Sequence, residues 1–273
     1  MKRFSDLNQI DISKLEVFFQ PAKKTKKQTV VFAHGFSVFH SYFQSFYKTL
    51  TDYDYYAPLW PGHNVNGFDY KELSPIHYGE LLAAFIENKD LENIVLIGHS
   101  MGAAVSSYAM NLLNAKRVEK LILLAPLSYC NLLRYFKIKS SFKKDKAERM
   151  ANFKAMFQTK FSNLTDENSW ENELSKHSKM AKKLSNNILK ELPVLNKTYK
   201  NLKLPVFLVL AQNDLFMPTK LTLSYFNKYL IKNNNLQSSV ILNSEHQMFN
   251  SKYESFCKAM DDILNHNKLS KIY

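Results

Sequence analysis

Apolar positions along the chain fall into two alternating patterns. Residues 93–97, 120–125, 205–211 and 238–242 are continuous apolar runs of strand length. Unbroken apolarity over so few residues suits strands buried on both faces of a parallel sheet. Residues 15–20 and 29–33 read as two more strands, joined by the polar turn 23–27, and 53–58 reads as another. Longer patterns of helical length lie at 42–50, 76–88, 103–113, 219–231 and 251–266. This rhythm predicts an α/β fold with a mostly parallel central sheet and helices on both faces. Residues 127–200 break it, with several helical patterns and no convincing strand. The expected organisation is a core of residues 1–126 and 201–273, with a helical cap, or lid, inserted at 127–200.

Composition narrows the class. The 273 residues are 45% hydrophobic and 22% charged, enough to bury a full core without staples. Disorder throughout, a collagen-like repeat and a disulfide scaffold are excluded. Cys130 and Cys257 have no metal-ligand spacing, so free thiols in a reducing compartment are expected. The apolar stretches 94–97 and 121–127 are far shorter than the roughly 20 residues that span a bilayer. Residues 1–6 begin basic, but no apolar run follows, so no signal peptide and a cytoplasmic location are expected.

The net charge of +13 is concentrated in 127–200, with sixteen Lys and Arg against seven Asp and Glu. Within it, 143–160 interleaves Met150, Phe153, Met156 and Phe157 with Lys143, Lys144, Lys146, Arg149, Lys154 and Lys160. As a helix this is amphipathic. Its basic face suits either plain solvation or weak contact with an anionic membrane surface. No nucleic-acid module accompanies the charge, so no nucleic-acid partner is expected.

The chemistry sits at Gly98-His99-Ser100-Met101-Gly102, between the run 93–97 and a small-residue helix. A serine at a sharp strand-to-helix turn takes a strained backbone, and glycines two before and two after let neighbouring backbone approach. Its hydroxyl also sits at the positive end of the following helix. A serine needs a base to take its proton. Of the 8 histidines, His246 is the strongest candidate, just after the last expected strand. Asp214, just after 205–211, lies at the same sheet edge and is the candidate to orient it. Glu245 is a poor second. Acyl transfer also needs oxyanion donors, for which the backbone N–H groups of Phe36, after His34-Gly35, and of Met101 are the candidates.

With Trp60-Pro61-Gly62-His63, Met217-Pro218 and Glu245-His246, these residues make the chain resemble an α/β-hydrolase, and more narrowly the esterase, lipase and monoacylglycerol-lipase-like branch. The resemblance implies Ser100 as nucleophile, Asp214 as acid, His246 as base, and the Phe36 and Met101 amides as oxyanion hole. It also implies a cap inserted after the family's sixth strand, which fits 127–200. There are departures. Leu59-Trp60 replaces the usual acidic residue before Pro-Gly-His, Asn64 the usual glycine after it, and Glu245 a small residue. The first family strand is short or missing. His99 is expected to pack or hydrogen-bond beneath the turn, and His34 and His63 to steady nearby loops. No metal cluster, phosphate loop or dinucleotide fingerprint is present, so neither metal nor cofactor is expected.

Phe36, Phe39, Met101, Leu127, Phe216, Met217 and Phe249 surround the proposed nucleophile, as an apolar acyl pocket or as core. The expected activity is hydrolysis of carboxylic esters, small-molecule or lipid, with an apolar acyl group through an acyl-enzyme. An acyl thioesterase or a serine aminopeptidase would use the same machinery. A catalytically silent scaffold ranks behind them.

Overall fold

The computed structural model describes residues 7, 9–25, 27–36, 43–63, 69–132, 134, 145, 147–148, 150–151, 154, 165–230 and 236–273. Seven strands form one sheet: β1 (Glu16–Gln20), β2 (Gln28–Ala33), β3 (Tyr53–Leu59), β4 (Ile94–His99), β5 (Val118–Leu124), β6 (Val206–Ala211) and β7 (Leu236–Ile241). Their order is β1-β3-β2-β4-β5-β6-β7, with β1 antiparallel to β3 and all other pairs parallel. The polar turn 23–27 therefore does not close a hairpin. It carries the chain past β3, which lies between β1 and β2.

The unbroken apolar runs are explained by burial on two sides. Successive residues of one strand enter opposite cores, because side chains alternate across a sheet. Leu96, Leu121, Leu123 and Leu208 join one cluster, and Val95, Ile97, Ile122 and Phe207 the other. On the first face pack α2 (Pro75–Asn88), α3 (Met101–Met110), the C-terminal half of α4 (Glu167–Tyr199), and Phe226 of α5 (Thr219–Leu230). On the second lie α1 (Gln44–Tyr47), α6 (Met248–Ser251) and α7 (Tyr253–His266). The helix expected at 251–266 is present as Tyr253–His266, preceded by the one-turn α6 and separated from it at Lys252, whose backbone is not helical (φ −143°, ψ 60°).

One ammonium group is built into the central strands. Lys120 of β5 is buried, and its ammonium donates to the Ile263 carbonyl at 3.4 Å and to the Asn267 side-chain oxygen. Both acceptors lie at the C-terminal end of α7, where a cation complements the helix dipole.

Between β5 and β6, the described residues form a short 3-10 turn, Tyr129–Asn131, and the 33-residue α4. The second half of α4 is bonded to the core. Ser74 Oγ and the Ile76 amide donate to the Glu191 carboxylate at 2.7 and 2.9 Å, capping the start of α2. Ser107 and Thr198 hydroxyls meet at 2.9 Å, and Tyr199 donates to the Leu127 carbonyl at 2.8 Å. The amphipathic segment expected at 143–160 lies mostly outside the described residues. No helix among the described residues is long and apolar enough to cross a membrane. At the far edge of the sheet, Ile272 bridges to Val240 of β7.

Candidate active site

The turn from β4 into α3 holds Ser100 at φ 56°, ψ −117°, a conformation L-residues rarely adopt. The surrounding backbone fixes it there. The Ser100 amide donates to the Leu124 carbonyl at 2.9 Å, and its own carbonyl accepts from Ala103 and Leu127 at 3.1 and 3.0 Å. The flanking glycines are required by contact distance. A Cβ at Gly98 would lie 2.5 Å from Ala103 Cα, and one at Gly102 only 2.0 Å from the Ala33 carbonyl oxygen. No side chain caps α3, so its first amides are open to developing negative charge.

The end of β2 abuts this turn. A Cβ at Gly35 would stand 3.2 Å from both Ser100 Cβ and His99 Nδ1. Phe36 follows directly, half-buried, while Met101 is buried at the start of α3. His34 braces the approach. Its Nε2 accepts the Trp60 amide at 3.1 Å, so Nδ1 carries the proton and donates to the Gly35 carbonyl at 2.9 Å. The Trp60 indole N–H returns to the His34 carbonyl at 3.1 Å, and Trp60 stacks on Tyr78 at 5.5 Å. The tryptophan that departs from the family pattern thus ties this loop together. His63 is buried beside it, 5.0 Å from the His34 ring.

The loops after β6 and β7 bring Asp214 and His246 together. The Asn213 amide donates to the Ser244 carbonyl at 2.8 Å, joining the two loops. His246 Nδ1 lies 2.7 Å from Asp214 Oδ2. Asp214 Oδ1 accepts the Phe216 and Met217 amides at 2.8 Å each. With side-chain exposures of 1% for Asp214 and 16% for His246, the carboxylate is dry and the imidazole reaches the surface. A carboxylate only accepts, so Nδ1 carries the proton and Nε2 has its lone pair. Glu245 is exposed, and it is Asp214 that the imidazole faces.

His99 lies between these parts. Its Nε2 is 3.1 Å from the His246 carbonyl oxygen, and its ring is 4.8 Å from that of His246. Burial, and secondarily the neighbouring imidazole, lower its pKa from 6.5 to about 3, so it is neutral and donates from Nε2.

The apolar residues separate by depth. Phe216 is 41% exposed, with its ring 4.9 Å from His246, and Leu127 is half-buried. Met217 and Phe249 lie in the second core cluster, Phe249 packed edge-on to Phe43, Phe256 and His99. Phe39 lies outside the described residues. Two polar residues at the start of the insertion escaped the sequence reading. Arg134 Nη1 donates to the Asp214 carbonyl at 2.5 Å, and Asn131 Nδ2 to the Phe216 carbonyl at 3.0 Å. Within so basic a segment no local signal marks Arg134.

The family model of the alpha/beta hydrolase family matches residues 30–249. A Mycoplasma pneumoniae protein named "Putative esterase/lipase 3" is 68% identical over 268 residues, covering 98% of each chain. Among solved structures, bromoperoxidase from Bacillus anthracis superposes with a TM-score of 0.68 at 14% identity, covering 93% of this chain and 96% of that one. An esterase from Exiguobacterium antarcticum gives 0.65 at 15% identity, covering 90% and 94%. At such identities the superpositions speak for the fold, and the sequence match for descent: the chain belongs to the α/β hydrolase family.

Proposed function

We propose that the protein hydrolyses carboxylic esters with an apolar acyl group. The observation that carries this reading is the dry Asp214 carboxylate holding His246 at 2.7 Å, at the sheet edge where the Ser100 backbone is strained. His246 Nε2 takes the Ser100 proton as Oγ attacks the ester carbonyl carbon. The Phe36 and Met101 amides receive the oxyanion. The tetrahedral intermediate collapses, the alcohol leaves with the proton from His246, and water repeats the sequence on the acyl-enzyme. Half-buried Leu127 and partly exposed Phe216 form an apolar wall for the acyl chain, while Met217 and Phe249 back the site from the core. The printed name of the Mycoplasma pneumoniae relative supports the ester class. Two free cysteines fit a reducing, cytoplasmic setting, and the basic insertion fits weak attraction to anionic lipid.

The test is a substrate panel assayed beside Ser100→Ala. It contains p-nitrophenyl esters of graded length, monoacylglycerols, acyl-CoA thioesters and a proline anilide. Turnover of apolar-acyl esters that vanishes in Ser100→Ala supports the reading, and preference for the thioester or the anilide overturns the ester assignment. Binding to anionic vesicles that weakens with salt would support the lipid contact, and no binding at low salt would remove it.

A further inference from the structure

Mechanistically, Ser100 and His246 belong to separate pieces of chain. One caps β4 and the other follows β7, three strands away across β5 and β6. The carboxylate of Asp214 orients the imidazole, but it rides on a third loop and fixes only the ring. A direct polar tie between the nucleophile's turn and the base's backbone comes from His99, the residue immediately before Ser100. Its Nε2–H donates to the His246 carbonyl at 3.1 Å. Three further contacts immobilise the donor. The ring packs at 4.8 Å from that of His246 and edge-on to Phe249 at 5.1 Å. Its other edge lies over Gly35, where even a methyl group would stand only 3.2 Å from Nδ1. That Nδ1 is buried with no hydrogen-bond partner among the described residues. A buried acceptor left unpaired costs free energy, so a leucine or phenylalanine would serve packing alone better than histidine does. What the imidazole adds is a rigid, uncharged donor aimed at one carbonyl.

We propose that His99 is a positioning residue, which clamps the backbone of the His246 loop to the nucleophile turn so that the base stays in reach of the Ser100 hydroxyl. The proposal rests on the reading that His246 is the base for Ser100. The donor has to be neutral. A cation here would sit against the imidazolium that forms on His246 and would oppose proton abstraction. Lysine or arginine therefore could not replace it, whereas glutamine could. Its amide nitrogen is three bonds from Cβ, as Nε2 is in histidine.

The test compares His99→Leu, which fills the space without a donor, with His99→Gln, which keeps a neutral donor. Steady-state hydrolysis of a p-nitrophenyl ester is measured alongside the rate at which a fluorophosphonate labels Ser100, well below each variant's unfolding temperature. The leucine variant should lose on the order of 10²-fold in kcat with KM little changed, and labelling should slow in parallel, because misplacement of a reacting group by about 1 Å costs that much. The glutamine variant should recover most of both rates. If the leucine variant does not fold, His99→Asn, too short to reach the carbonyl, takes its place with the same expectation. A kcat retained without the donor, or a glutamine variant as slow as the donorless one, overturns the proposal. Wild-type turnover that persists in Ser100→Ala would instead overturn the underlying assignment of the nucleophile.

Discussion

Asp214 holds His246 with one carboxylate oxygen, at 2.7 Å, and is itself held through the other by the amides of Phe216 and Met217. The two oxygens have separate duties, which makes Asp214→Asn informative. An asparagine keeps an oxygen for the two amides and presents an N–H₂ to the imidazole, which forces the opposite tautomer. Folding should be retained while kcat on a p-nitrophenyl ester falls on the order of 10⁴-fold, the loss known for this exchange in serine proteases. Near-normal turnover would move the acid elsewhere.

Ser100 carries backbone strain that the proposed reaction uses and that stability does not need. Holding an L-residue at φ 56° costs about 1–3 kcal/mol, which glycine avoids at an unfolded-state entropy cost of about 0.5–1 kcal/mol. Ser100→Gly should therefore be more stable than Ser100→Ala by about 1 kcal/mol in urea unfolding, with both inactive. An alanine variant as stable as the glycine one would mean the turn is not strained.

His99 makes stability depend on pH with a definite sign. Burial, reinforced by the neighbouring His246 and opposed by the hydrogen bond to its carbonyl, lowers the folded-state pKa from 6.5 to about 3. Below pH 6.5 the unfolded chain takes up a proton that the folded chain refuses until near pH 3. The stabilisation is complete above 6.5 and is lost as pH falls, by about 1.4 kcal/mol per unit. Urea midpoints of the wild type and His99→Gln between pH 7 and 5 should diverge accordingly, and parallel lines would refute the assignment.

Glu191 fastens α4 to α2. Burial raises its carboxyl pKa, while the Ile76 amide and Ser74 hydroxyl pull it down. Glu191→Ala leaves both donors unpaired at a partly buried helix start, at a cost of about 1–3 kcal/mol. Unfolding measurements should show that loss, and the amides at the start of α2 should exchange faster with solvent. Unchanged exchange there would mean water replaces the carboxylate freely.

The strand-to-helix turn at Ser100 was legible because its geometry leaves the sequence few options. Gly98 and Gly102 stand where any side chain would strike Ala103 or Ala33. The parallel core was legible because both sheet faces are buried, so strands such as 94–97 carry no polar interruption. The strand order was not. Nothing local tells β1 that its partner is β3 rather than β2, since that choice is made by long-range packing. Lys120 sits in a strand whose pattern gives no warning that an ammonium is buried there, because, beside the adjacent Glu119 carboxylate at 3.2 Å, its acceptors come from the C-terminal end of α7, nearly 150 residues later. Phe216 and Phe249 look alike as apolar loop residues, yet one stands beside His246 at the surface and the other packs in the core.

The strand that delivers His246 has a covered rim. Val240 and Leu242 donate to the Lys271 and Tyr273 carbonyls at 3.1 and 2.9 Å, and the Tyr273 amide returns to Val240 at 3.2 Å. A bare strand edge recruits strands from other molecules. Residues 271–273 occupy that template at the end of β7, so the backbone groups just before the His246 loop are paired within the chain and are not offered to another strand.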